Sequence, residues 1–166
     1  TATHIAARLE PYAQAAIRQS VLLHLHHITH GGDPFEVRQA RPLDFGHWSA
    51  HKLEAITDYG LRHGEAVAIG VAVDVAYSHL RHGLSLAVVQ QSLATLQDLR
   101  LPIWNSALGE DVIFDGLEEF RQHLGGELTI TLIEQVGCPI DVHEIDRSAM
   151  RQAMAMVAGH AANAGV

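Results

Sequence analysis

The sequence predicts a mainly α-helical bundle, with at most a short β hairpin near residues 128–143. Three observations carry this. Apolar residues recur at three- and four-residue steps through most of the chain, and one stretch, AVAIGVAV from Ala66 to Val73, is apolar on every side. Only LTITLI, residues 128–133, alternates and is rich in β-branched side chains. Strands do not alternate with helices, and no Gly-rich turn follows a strand, so the chain by itself offers no dinucleotide-binding crevice.

The elements follow in order. Pro11 suits the first turn of an amphipathic helix that runs to His30 with apolar Ile17, Val21, Leu25 and Ile28 at three- and four-residue steps, and Gly31-Gly32 ends it. A polar connection, Asp33 to Arg41, leads to a helix beginning near Gly46 and fading by Thr57. The helix from Gly64 to about His79, which carries the AVAIGVAV run, is expected at the centre, because an apolar circumference is buried only by neighbours on all sides. Ser85 caps a helix with Leu86, Val89, Leu93 and Leu96 on one face, and Pro102 lies beyond its end. Another helix runs to about Leu124, stopped by Gly125-Gly126. The strand at 128–133 pairs with Ile140 to His143, and Asp146 caps a last helix with Met150, Met154 and Val157 inward.

With 166 residues, 48% hydrophobic and 18% charged, the chain fits one compact domain, residues 1–166. A formal charge of −8 with scattered bases excludes a nucleic-acid partner, and the lack of an apolar run near the roughly 20 residues of a membrane span excludes a membrane one. Cys138 is the only cysteine, which suits a reducing cytoplasm. The chain starts at Thr1, as a piece of a longer protein would.

Thirteen histidines stand beside a single lysine, Lys52. His47 and His51 are four apart and project from one helix face. A helix from Gly46 to Ala55 is roughly 14 Å long, and seven extended residues, Ile56 to Arg62, reach about 23 Å, so the chain can return to put His63 near His47. Neutral imidazoles suit zinc, and a catalytic zinc takes three protein ligands and keeps one position open. A lone HxxxH is also common on solvated helices, and Trp48 stands where the HExxH metalloproteases have Glu. His24, His26, His27 and His30 read as a solvated flank, Glu65 as a first-turn acid, and Trp48 and Trp104 as core.

"DFGHWSAH" followed by "RHGEAVAIG" resembles the paired signature GHxxGHAxE and HGEAVAxG of the 3-dehydroquinate synthase-like sugar phosphate cyclases. The likeness runs in order from residue 17 to 145 and concerns the family's carboxyl-terminal helical domain, which in complete members follows an NAD-binding domain. It implies that His47 and His63 are metal ligands and that His51 orients the substrate or exchanges protons with it. The ion would be zinc, with cobalt or iron as alternatives. The family's third ligand, a glutamate, would fall before Thr1. Glu36 and Asp44 match positions close to the reacting substrate, and His26, Arg41, Lys52 and Arg121 are the candidate substrate-binding residues. His26 and Arg121-Gln122 stand where the family places phosphate- and carboxylate-binding lysines, so a sugar phosphate other than the dehydroquinate synthase substrate is expected. The implied reaction converts a seven-carbon sugar phosphate into a carbocycle with loss of phosphate, and needs a metal and NAD, the latter held by a separate or missing domain. A homo-oligomer is expected. The alternatives are a metal-dependent polyol dehydrogenase domain and a non-catalytic helical remnant or interaction domain.

Overall fold

The computed structural model describes residues 1–30 and 42–163. Helices α1 (Ala2–Ala6) and α2 (Tyr12–His30) come first. After a 3-10 turn at Pro42–Asp44 follow α3 (His47–Ile56), α4 (His63–His82) and α5 (Leu86–Asp98). Two further 3-10 turns, Ser106–Gly109 and Asp111–Phe114, lead into α6 (Asp115–His123), the hairpin β1 (Ile130–Gln135) and β2 (Cys138–Val142), and finally α7 (Arg147–Asn163). The architecture is the expected one: a mainly helical bundle with one antiparallel hairpin. No helix among the described residues is long and apolar enough to cross a membrane.

Helix α4 is the axis. Its buried residues run from Ala66 to Ser78, and α3, α5, α7 and β1 pack around it. Ile69 and Val73 meet a core that includes Leu53, Leu93, Met150 and Val157, each almost fully removed from water. Glu65 accepts the Arg62 N–H at 2.9 Å and satisfies an orphan donor of the first turn, the structural role expected of it. Ser85 Oγ accepts Val88 N–H, and Asp146 Oδ1 accepts the N–H groups of Ser148 and Ala149, so both expected caps are formed.

The backbones approach closely where the turn into α3 crosses α4. A Cβ on Gly70 would stand 2.0 Å from the Gly46 carbonyl oxygen, and one on Gly46 would stand 2.6 Å from the Val71 nitrogen. Gly46 also has φ +80°, so it supplies both the left-handed turn into α3 and the space for the crossing. Gly70→Ala therefore forces two backbones apart. Its expected cost lies at or beyond the top of the about 1–3 kcal/mol typical of overpacking, read as a lowered urea midpoint.

Two expectations need correction. The strand begins at Ile130 instead of 128, and its partner ends at Val142 instead of His143. The His143 ring donates from Nδ1 to the Leu128 carbonyl at 2.9 Å, a side-chain bond where the ladder would otherwise continue. Helix α2 has its expected span, but none of its residues is buried, and Ile17, Val21 and Leu25 are 67%, 51% and 46% exposed. Leu22 and Leu23 are exposed as well, so its apolar residues spread around the helix, which packs chiefly on α1.

Candidate metal centre

Three histidines converge where α3 and α4 begin. His47 and His51 lie one turn apart on α3 with ring centroids 5.6 Å apart, as their spacing requires. The chain then reverses through Asp58 and Tyr59, both with positive φ, and Tyr59 N–H bonds back to the Glu54 carbonyl at 2.7 Å. This return brings His63, the first residue of α4, to 5.3 Å from His47 and 5.9 Å from His51, centroid to centroid.

The hydrogen bonds assign the ring nitrogens. A carbonyl or carboxylate oxygen only accepts, so an imidazole nitrogen facing one must carry the proton. His47 Nδ1 faces the Phe45 carbonyl at 3.2 Å, and His63 Nδ1 faces Glu54 Oε2 at 3.1 Å. In both rings Nε2 is left as the lone-pair nitrogen, the arrangement typical of metal-binding histidines. Burial holds the pKa of His51 below the ordinary imidazole value; His47, His63 and His123 add to this, and Glu54 opposes it. His51 is therefore a neutral ring at physiological pH, able to accept a proton or a cation.

One donor atom each from His51, Glu54 and His63 lie within 4.8 Å of one another. These residues suit a divalent ion such as zinc, which takes nitrogen and carboxylate ligands. That tightest set differs from the expected pair, His47 and His63, although all three rings border one space.

The other expected site residues divide. Asp44 is buried just ahead of His47, in the 3-10 turn. Glu36 and Arg41 lie outside the described residues. His26 is exposed on α2 and stacks on His30 at 4.8 Å. Lys52 binds Glu119 of α6 at 2.5 Å. Arg121 donates to both oxygens of Glu118 and to the Gly126 carbonyl, and its guanidinium holds the Glu118 carboxyl down at about 2. The ammonium and the guanidinium are thus engaged in local pairs.

Three residues were missed. Glu54 follows His51 by three residues, a spacing that puts both on one face. His123 lies 6.2 Å from His51, centroid to centroid, and its signal is the i, i+3 step from the buried Phe120, on which it stacks at 6.3 Å. The third, Asp74, is fully buried in α4, where its carboxyl accepts from Gly46 N–H at 3.0 Å and from the Trp48 indole at 2.9 Å.

Burial raises the Asp74 pKa from 3.8 to about 7, outweighing the two hydrogen bonds, which lower it. Between those values the folded chain keeps a proton that the unfolded chain has released. The Asp74 contribution to stability therefore falls as pH rises through that window and levels off above it. Urea unfolding at pH 5 and pH 7.5 should show the advantage of wild type over Asp74→Asn shrinking at the higher pH.

The helical bundle thus gathers three imidazoles from α3 and the start of α4, two of them facing an oxygen acceptor through Nδ1, a donor set of the kind that suits a divalent ion. The family model for the 3-dehydroquinate synthase C-terminal region matches residues 1–122, and the chain belongs to that family. A 2-epi-valiolone synthase from Actinosynnema mirum is 33% identical over 129 residues, 75% of this chain and 34% of that protein. A 3-dehydroquinate synthase from Aeropyrum pernix is 34% identical over 110 residues, 65% of this chain and 30% of that protein. The chain thus spans about a third of the curated relatives it matches. Among solved structures, ValA (2-epi-5-epi-valiolone synthase) from Streptomyces hygroscopicus subsp. jinggangensis 5008, with NAD+ and Zn2+ bound, superposes with a TM-score of 0.83 at 22% identity. The match covers 96% of this chain and 44% of that one, and it shows the same fold.

Proposed function

We propose that this chain is the metal- and substrate-binding domain of a sugar phosphate cyclase that works with an NAD-binding domain on a seven-carbon sugar phosphate. The observation that carries this reading is the convergence of His47, His51 and His63, with both Nδ1 atoms of the proposed ligands His47 and His63 occupied by oxygen acceptors. When bound, a divalent ion supplies Lewis-acid polarisation of a substrate oxygen. His47 and His63 hold it, and Glu54 fixes the ring of His63. His51, kept neutral by its surroundings, takes the proton of a substrate hydroxyl on a ring nitrogen and returns it later in the cycle. His123 stands beside it and borders the same space.

The cations support a choice of substrate class. With Lys52 paired to Glu119 and Arg121 to Glu118, the described part of the site is poorly equipped for a substrate carrying both a phosphate and a carboxylate. A sugar phosphate without a carboxylate, such as sedoheptulose 7-phosphate, fits better. The test is NAD-dependent release of inorganic phosphate, which separates a cyclase from a polyol dehydrogenase and from a non-catalytic module.

A further inference from the structure

Asp74 interrupts the apolar run of α4 as a fully buried carboxyl, in a position where an aliphatic residue would satisfy the packing. Burying it without partners would cost several kcal/mol, and both of its oxygens are used. Oδ2 accepts from Gly46 N–H and Oδ1 from the Trp48 indole, the two residues that flank His47. Either protonation state leaves each oxygen a lone pair for these donors.

The Gly46 N–H and the Phe45 carbonyl belong to one peptide unit, which is planar and points the two groups in opposite directions. That carbonyl is the acceptor of His47 Nδ1. Holding the N–H end of the plane therefore fixes the carbonyl end. The next peptide is constrained as well, because the Gly46 carbonyl lies against Gly70 with no room for a Cβ between them.

We propose that Asp74 is a positioning residue for His47: by clamping the Gly46 N–H it sets the peptide plane whose Phe45 carbonyl holds His47 Nδ1, and so presents Nε2 as the ligand nitrogen. This rests on the metal-centre reading for its purpose, but not for its geometry. Trp48 provides the control. Its indole uses the other oxygen, so Trp48→Phe costs a core hydrogen bond while leaving the Gly46 clamp intact.

The experiment uses the 166-residue chain and three readouts: the His47 tautomer by long-range nitrogen–proton NMR without metal, zinc affinity by chelator competition, and urea stability. In wild type, His47 is expected as the Nδ1–H tautomer. Asp74→Ala removes the acceptor of the Gly46 N–H together with that of the indole. It should lower the Nδ1–H population of His47 and weaken zinc binding by about tenfold, the lower end of the effect of losing a supporting hydrogen bond. Trp48→Phe should lose stability yet keep the tautomer and stay within twofold of wild type in zinc affinity. The proposal is overturned if Asp74→Ala changes stability alone. An Nε2–H tautomer in wild type overturns it whether or not Asp74→Ala folds. A wild type that binds no zinc removes the metal-centre reading, while the tautomer shift on Asp74→Ala still decides the role of Asp74.

Discussion

Mixing the 166-residue chain with the proposed NAD-binding domain, made separately, is expected to restore phosphate release from sedoheptulose 7-phosphate, whereas the 166-residue chain alone shows none with NAD added. The reason is one of parts. Hydride chemistry needs its carrier in place, and the hairpin and helices described here contain no strand, Gly-rich turn and helix in succession to cradle a pyrophosphate. The substrate of 3-dehydroquinate synthase should be turned over less well, because Lys52 and Arg121 are committed to Glu119 and Glu118. In the mixture, His51→Ala should lower kcat by about 10²–10⁴-fold, the usual contribution of a positioned proton acceptor. Turnover by the isolated chain would overturn the need for a second domain, and reduced NAD accumulating without phosphate would favour a dehydrogenase.

The second large effect concerns zinc. Ligand atoms on a tetrahedral ion with bonds of about 2.1 Å lie about 3.4 Å from one another. One donor atom each of His51, Glu54 and His63 lies within 4.8 Å of the others, wider than that spacing but of the same order. Calorimetry should give one zinc per chain, bound weakly compared with a site that has three dedicated protein ligands, and the double variant His47→Ala, His63→Ala should lose at least about 100-fold in affinity. That exceeds the about 10–100-fold expected for Glu54→Gln, which removes support and leaves both ligands. An affinity unchanged in the double variant counts against the site. Loss in His51→Ala but not in His47→Ala would move the ion to the tighter set, with Glu54 as its carboxylate ligand.

Much of this was open to inspection in the residues because it is local. A four-residue spacing places His47 and His51 on one face of any α-helix, and an uninterrupted apolar run such as Ala66 to Val73 has nowhere to go but the centre. Ser85 and Asp146 mark helix starts because their side chains reach N–H groups two or three residues on. The reach of residues 56–62 likewise made the meeting of His63 with His47 a matter of length.

Other features lie beyond local rules. Ile17, Val21 and Leu25 have helical spacing, yet spacing does not say whether a neighbour arrives to cover them, and α2 remains exposed. Lys52 and Arg121 look like anion binders until the approach of α6 gives Lys52 to Glu119 and the turn of α6 gives Arg121 to Glu118. Asp74 is one acid beside an apolar run, and no local rule says which donors meet it. By itself the sequence determined the helices from α2 onward, the caps at Ser85 and Asp146 and the pair of histidines on α3, since each follows from interactions within a few residues. Only the tertiary structure decided that Asp74 grips Gly46, that Glu54 steadies His63 and that His123 joins the site, because these meetings depend on how closely neighbouring backbones cross, at Gly46 and Gly70 between α3 and α4 and at Gly116 between α3 and α6.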